Sequence, residues 1–179
     1  MAIQYESLDE TVRACMLQEL EADISNSRLY ISPRLTETGA KIWPEILREA
    51  IGKRNDAWLA ATLQSMRLLH TQEQRRKPKG GFTTVNVPYN AADTLAEGEF
   101  NRFYARGLCV KVIATGGSQV EVYRGKDVRD PRPESQAMIG RRLPAQKLLE
   151  DLRNSPGVEP ALGLPPGPNS GLTVRQVKE

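Results

Sequence analysis

Histidine and cysteine are scarce in this sequence, and their scarcity limits the chemistry that the chain can support. His70 is the single histidine, and Cys15 and Cys109 are the two cysteines. A catalytic dyad or triad built on histidine would have one candidate member, at the predicted frayed end of a helix. Two cysteines so far apart match neither a disulfide framework nor a zinc site. We therefore interpret His70 as structural or solvent-exposed and both cysteines as small buried hydrophobic residues.

Long apolar runs and phosphate-binding loops are missing as well. No run of about eighteen apolar residues occurs, so the sequence predicts no membrane-spanning segment. The opening stretch MAIQYESLDE lacks the basic and apolar regions of a signal peptide. The glycine pairs at 80–81 and 116–117 lack phosphate-loop spacing and are interpreted as turns. Glu121 and Lys126 lack the second acid that a metal-dependent nuclease would need. The sequence therefore predicts no enzyme, no metal site and no cofactor.

Apolar residues recur with helical spacing in the first part of the chain. The helices that this spacing predicts span residues 8–25, 36–52 and 56–70. Ser7 and Glu10 have the spacing of a capping box at the start of the first of them. We predict that these helices form an antiparallel bundle over residues 1–70.

A long helix is predicted over residues 91–114. Phe100, Phe103 and Gly107 lie on one face of it, and a glycine at 107 would let another helix approach closely. This face therefore predicts a packing seam. Three charged residues of the same helix lie off the seam; they are Glu99, Arg102 and Arg106.

A short hairpin and a last helix complete the predicted body over residues 91–155. Residues 119–125 alternate between polar and apolar side chains as a strand does, and the run at 82–87 is its natural partner. The last helix is predicted to begin at Pro144. The sequence thus predicts an α+β fold, mostly α. Its parts are an N-terminal helical bundle, a long central helix, a small β-hairpin and an extended C-terminal arm rich in proline and glycine.

A basic segment lies between the two helical regions, in a linker and short strand predicted over residues 71–90. Its positive side chains are Arg75, Arg76, Lys77 and Lys79. Three interpretations stay open: a solvated linker, a contact with nucleic-acid phosphates, or docking onto an acidic protein surface. The first predicted helix of a neighbouring copy would offer such a surface, because the first 25 residues contain six acids and one arginine.

The C-terminal segment over residues 156–179 is predicted to form an extended arm. Prolines such as Pro165 and Pro166 restrict its backbone to extended conformations. Its leucines are Leu162, Leu164 and Leu172. Disordered tails usually lack such regularly placed apolar anchors. We therefore predict that these leucines are buried against other chains, in a groove or at a sheet edge of a partner.

Three stretches of the sequence resemble an uncharacterised family of tailed-bacteriophage and prophage proteins that accompany the virion structural genes. They are NVPYNAADTLAEGEFNRFYARGLC, VYRGKDVRDPRPESQAMIG and ALGLPPGPNSGLTVR, within residues 85–175. The resemblance includes no motif with known catalytic residues and implies no role for a particular side chain. In layout the chain is also similar to the head-to-tail adaptors of such phages, which are small helical bundles whose extended C-terminal arm inserts against the portal ring. It departs from that layout in its predicted hairpin and basic linker.

The resemblance implies a structural component of a tailed-phage particle. We expect a head-to-tail (neck) adaptor that assembles as a ring through extended arms, with a capsid-associated decoration or minor head protein as the alternative. A DNA-binding or packaging accessory protein is the alternative from another class. The expected partners are copies of the chain and portal, capsid or tail proteins, with DNA contact not favoured and no membrane. The expected location is the virion, after synthesis in the bacterial host cytoplasm.

Overall fold

The computed structural model of the chain describes residues 2–155 and 170–178. Its helices are α1 (Glu10–Ser25), α2 (Glu37–Lys53), α3 (Asp56–Ser65), α4 (Ala91–Ala114), α5 (Pro133–Met138) and α6 (Ala145–Asn154). Its strands are β1 (Gln72–Arg76), β2 (Phe82–Asn86), β3 (Gln119–Arg124), β4 (Arg142–Pro144) and β5 (Leu172–Gln176). The predicted α+β class, mostly α, is confirmed.

The long helix α4 is the centre of the molecule. Helices α1, α3 and α6 pack around it, and the sheet strand β5 contacts it from a further side. Phe100 and Phe103 are fully buried in the core that these elements share. Burying a phenylalanine side chain stabilises a fold by about 1.5–3 kcal/mol. The seam residues of α4 are thus part of one hydrophobic core that α1, α3 and α6 close.

The start of α1 and the end of α3 differ by two or more residues from those that the sequence predicts. Helix α1 is capped by Asp9, whose carboxylate accepts a hydrogen bond from Val12 N at 2.8 Å, so the predicted capping box at Ser7 is wrong. Helix α3 ends at Ser65 and not at residue 70. The chain leaves the helix because Arg67 adopts a left-handed conformation with φ of 53°. It then places Leu69 in an isolated bridge with Leu35 of the preceding connection.

The strand pairing also differs from the prediction. The run at 82–87 does not pair with β3; its strand β2 pairs with β1 in a separate antiparallel hairpin. The short strand predicted in this region is present as β2, but the residues predicted as a linker before it form β1 and the turn of a hairpin. Gly80 and Gly81, with φ of 92° and 77°, permit the tight turn between the two strands. A local hairpin closes a much shorter loop than a pairing with β3 would, and a shorter loop costs less entropy.

The second sheet has three antiparallel strands in the order β4–β3–β5. The prediction that Leu172 is buried against another chain is wrong. Leu172 lies in the outer strand β5 and is buried, with Val174, in the core of its own chain. Asn101 of α4 holds the start of this strand, since its amide donates to Leu172 O at 3.0 Å. Pairing with β3 satisfies the backbone groups that the arm prediction assigned to a partner chain. The arm residues Leu162, Leu164, Pro165 and Pro166 lie outside the described residues.

Candidate functional site

The hairpin of β1 and β2 contacts the rest of the described chain sparsely. Every residue of both strands is exposed or half-buried, and the two strands contact chiefly each other. Glu73 ties the hairpin to the body, because its carboxylate accepts hydrogen bonds from Arg34 Nε at 2.7 Å and Nη2 at 3.0 Å. A two-stranded ribbon of this kind gains little from core packing. The hairpin is thus an appendage of the helical body.

The basic tip of this hairpin comprises Arg75, Arg76, Lys77 and Lys79, together at the end remote from the body. Arg75 lies 4.0 Å from the Glu73 carboxylate. The other three form no ion pair with any residue in the described part of the chain. Phe82, opposite Arg76 in the ladder, is 67% exposed. Positive charges and an exposed aromatic ring are therefore presented together at one end of the ribbon.

Most acids of the predicted acidic face of α1 are already paired with cations of their own chain. Asp9 accepts a hydrogen bond from Lys111 Nζ at 2.7 Å. Glu21 accepts one from Arg48 Nε at 2.6 Å. Glu19 and the nearby Asp23 are buried. Most acids of this helix are neutralised by cations of their own chain, and a basic tip from another copy would find few free carboxylates there.

Arg106 lies at the centre of a buried ion network between α1, α4 and α6. It is 1% exposed and donates to Asp23 at 2.6 and 2.9 Å and to Glu19 at 2.8 Å. Arg153 of α6 donates to the other oxygen of Glu19 at 2.6 Å. Burial acts to raise the pKa of Glu19, but the hydrogen bonds from Arg153 and Arg106 outweigh it and lower that pKa. The network fixes the relative positions of the three helices.

A second buried pair on α4 is incompletely satisfied. Glu99 Oε1 lies 3.5 Å from Arg102 Nη1, and both side chains are buried. Glu99 Oε2 and Arg102 Nε have no hydrogen-bond partner. Burial raises the pKa of Glu99 to about 7, although Arg102 and Arg106 act in the opposite direction. This carboxyl group is therefore partly protonated at neutral pH.

A cavity of about 390 Å³ lies between α3, the first turns of α4 and Lys126. We call it the acidic cavity, because its ionisable lining residues are Asp56, Asp93, Glu97 and Lys126. The Lys126 ammonium donates to Glu97 Oε1. Asp56 is 1% exposed; its Oδ2 accepts from Ile3 N at 3.3 Å, while its Oδ1 has no partner. Burial raises the pKa of both Asp56 and Glu97.

Other features bear on catalysis and membranes. Among residues 2–155 and 170–178, no three or more His, Cys, Asp or Glu residues are arranged to hold a metal ion. Burial raises the pKa of the Cys109 thiol to about 12, so this thiol stays protonated and unreactive. His70, the single histidine, is exposed just before β1. No helix in the described ranges combines the length and the hydropathy needed to cross a membrane.

Comparison with known proteins finds no matching family model, no matching curated protein and no matching solved structure. The basic tip and the acidic cavity, which differ in charge and lie on different elements, are the two features that carry the functional argument. Sequence reasoning found the first, because its four charges lie within residues 75–79. It missed the second, because Asp56, Asp93 and Lys126 come from three separate segments.

Proposed function

We propose that this chain is a structural component of a tailed-phage particle, a head-to-tail (neck) adaptor that assembles as a ring and resides in the virion. The observation that carries the proposal is the hairpin: a ribbon outside the core, whose tip presents Arg76, Lys77 and Lys79 without ion-pair partners in the described chain. The resemblance of residues 85–175 to phage structural proteins supports the same function.

The hairpin suits subunit assembly for a physical reason. Unpaired charges at the end of an exposed ribbon steer association and select partners of opposite charge. When the two contacting patches of a homo-oligomer differ, successive subunits form a ring if the rotation between them closes. Neck adaptors need this geometry, because they connect a portal ring to a tail. The proposed partners are copies of this chain and the portal, capsid or tail proteins next to it.

A DNA-binding or packaging accessory protein is the second candidate, and one observation favours it. The outward face of the hairpin is exposed throughout and is polar except for one aromatic ring; it consists of Gln72, Gln74, Arg76, Phe82, Thr84 and Asn86. The major groove of B-DNA admits a two-stranded ribbon, and arginine and amide side chains are suited to contact base edges there. For this function the tip lysines would contact phosphates.

Quantitative mass spectrometry of purified particles tests the proposal. A neck adaptor is expected at the small, fixed copy number of a ring, relative to the portal protein. A much larger copy number that follows the major capsid protein would instead indicate the decoration or minor head alternative. Absence from particles would overturn the proposal.

DNA binding by the purified chain distinguishes a DNA-binding or packaging accessory protein from a neck adaptor. A DNA-binding protein should lose affinity steeply as salt rises, with a slope set by the phosphates that it contacts. The triple variant Arg75→Ser, Arg76→Ser, Lys77→Ser should then lose DNA binding at low salt but keep particle incorporation. For the neck adaptor we expect the triple variant to lose particle incorporation, with any DNA binding at low salt unchanged. The isolated fold should stay intact in both cases because these side chains are exposed.

A further inference from the structure

The acidic cavity has more carboxylates than cations. Lys126 is its single cation among the described lining residues, and its ammonium is bound to Glu97. Asp93 forms no ion pair with any described residue. Asp56 has a buried oxygen, Oδ1, without a hydrogen-bond donor. Buried carboxylate oxygens are normally paired, since leaving one unpaired costs free energy. The cavity is therefore built for one more positively charged donor.

The wall of the cavity suits a lysine side chain in particular. Its α3 side is formed by the small residues Ala57, Ala60 and Ala61. A lysine buries its methylene stem against such an apolar surface while its ammonium reaches a polar group. The three N–H donors of an ammonium could meet Asp56, Asp93 and Glu97 together. Binding would also offset the burial that raises the pKa of Asp56 and Glu97.

The basic tip supplies such a lysine, and the described residues that line the cavity include none from the tip of the same chain. The root of the hairpin, where Val87 N donates to Thr71 O at 2.9 Å, is close in sequence to Asn90, which lines the cavity. Each strand of five residues extends about 17 Å from that root. Lys79 lies in the turn at the far end, next to Gly80 and Gly81, which add no side-chain bulk.

We propose that the acidic cavity receives the basic tip of a second copy of this chain, with the Lys79 ammonium bound by Asp56, Asp93 and Glu97. The proposal rests on the proposed function, because it supplies the contact between neighbouring copies in the ring. Tip and cavity are different patches on the same chain. Each copy therefore gives its tip to one neighbour and receives the tip of the other. This is a heterologous contact, which forms a ring when the rotation between successive copies closes.

Charge reversal on each side of the contact provides the test. Asp93→Lys changes the cavity at an exposed position, and Lys77→Glu with Lys79→Glu changes the tip. Native mass spectrometry and light scattering should show an oligomer for the wild type and monomers for both variants, with self-association weakened about tenfold or more. Circular dichroism verifies that each variant is folded.

Mixing the two variants gives the sharpest result. The Asp93→Lys chain keeps an intact tip and the tip variant keeps an intact cavity. A mixture should therefore form at least a 1:1 heterodimer, which neither variant forms alone. Glu134→Lys is the matched control for Asp93→Lys, because Glu134 is also an exposed acid in the first turn of a helix. Arg141→Glu with Lys147→Glu is the control for the tip, and both controls should assemble as the wild type does.

A wild type that stays monomeric, or an Asp93→Lys variant that keeps the wild-type oligomer, would overturn the proposal. So would a tip variant that loses DNA binding while both variants still assemble, because the tip would then serve nucleic acid. Particle composition tests the proposed function independently of the contact between copies. If the chain is absent from particles but the heterodimer forms, the contact between copies stands and the neck assignment does not.

Discussion

Gly107 of α4 lies directly against Met16 of α1. A Cβ atom at position 107 would be 2.5 Å from Met16 Cγ, 2.9 Å from Met16 N and 2.9 Å from Val12 O. Contacts under 3 Å with backbone atoms cannot be relieved by a change of side-chain rotamer. The absence of a side chain at 107 therefore sets the distance between the two helices and, with it, the position of the ion network around Arg106.

Gly107→Ala should destabilise the protein because α1 must move away from α4. We expect a loss of about 1–3 kcal/mol in the free energy of unfolding, measured by urea denaturation. Gly98→Ala on the same helix is the matched control, since a Cβ there meets nothing within 4 Å. Removing a glycine from a helix interior without a clash should stabilise it by about 0.5–1 kcal/mol. Equal effects of the two substitutions would contradict the close helix contact.

Phe103→Ala should cost about 3–5 kcal/mol if the surrounding core cannot collapse into the space. The ring is fully buried, and the Arg106 guanidinium lies 4.9 Å from its centroid, so a cation–π contact is lost as well. Phe82→Ala is the control at an exposed ring and should change stability by less than about 0.5 kcal/mol. A Phe103→Ala variant that unfolds at the wild-type urea concentration would contradict the role of this residue in the core.

Stability should depend on pH through Glu99. Its pKa is about 7 in the folded chain, raised by burial, and close to 4.3 in an unfolded chain. Between these values the folded state binds more protons than the unfolded state, so this group makes stability fall as pH rises from about 4.5 to 7. Glu99→Gln removes that dependence. Relative to the wild type, the variant should gain about 3 kcal/mol between pH 4.5 and pH 8.

Unfolding curves at the two pH values measure this difference. Other buried carboxyls, such as Asp56 and Glu97, titrate equally in wild type and variant, so the comparison isolates Glu99. Glu134→Gln, at an exposed position, is the matched control substitution, and its unfolding curves are measured at the same two pH values. An identical pH dependence for wild type and Glu99→Gln would show that this carboxyl is ionised in the folded chain.

Much of the helical architecture follows from the sequence, because apolar residues repeat with the helical period and polar caps mark helix starts. The buried charges do not follow so directly. Glu99 and Arg106 stand one turn before and one turn after Phe103, a spacing that places them beside a buried ring. From the sequence alone, the charge of these two side chains predicts that they face solvent, because the residues that pair with them in the core are not known. The partners of Arg106 are on α1, with Glu19 87 residues away from it in the sequence, whereas Glu99 lies beside Arg102 of its own helix.

The hairpin and β5 were harder to predict for different reasons. Strand β1 reads QEQRR, which contains no β-branched or aromatic residue, so local propensity gives no signal for it. Strand β5 reads LTVRQ, whose Leu172 and Val174 alternate with polar residues as a half-buried strand requires. The proline and glycine residues before it suggested one continuous extended arm. Pairing with β3 overrides that impression, because a sheet edge of the same chain is available.

The C-terminal leucines should therefore fall into two classes. Leu172→Ser places a hydroxyl in the core beside Val174 and removes a buried side chain worth about 1.5–3 kcal/mol, so the isolated protein should be strongly destabilised. Leu162→Ser with Leu164→Ser tests the part of the arm prediction that remains. If these two leucines bind a neighbouring chain, the double variant should unfold at the wild-type urea concentration but enter particles at a reduced copy number.

Truncation after Ser155 removes Leu172 together with Leu162 and Leu164. The truncated chain should no longer yield a folded monomer. The truncation removes β5 and leaves the β3 edge without its partner over Val120–Arg124. It also opens the core where Leu172 and Val174 are buried. Because native domains are stable by only about 5–15 kcal/mol, the loss of a core strand is expected to unfold much of the chain. Circular dichroism and urea denaturation of the truncated chain measure this, and a truncated protein with wild-type stability would show that β5 contributes nothing to the fold.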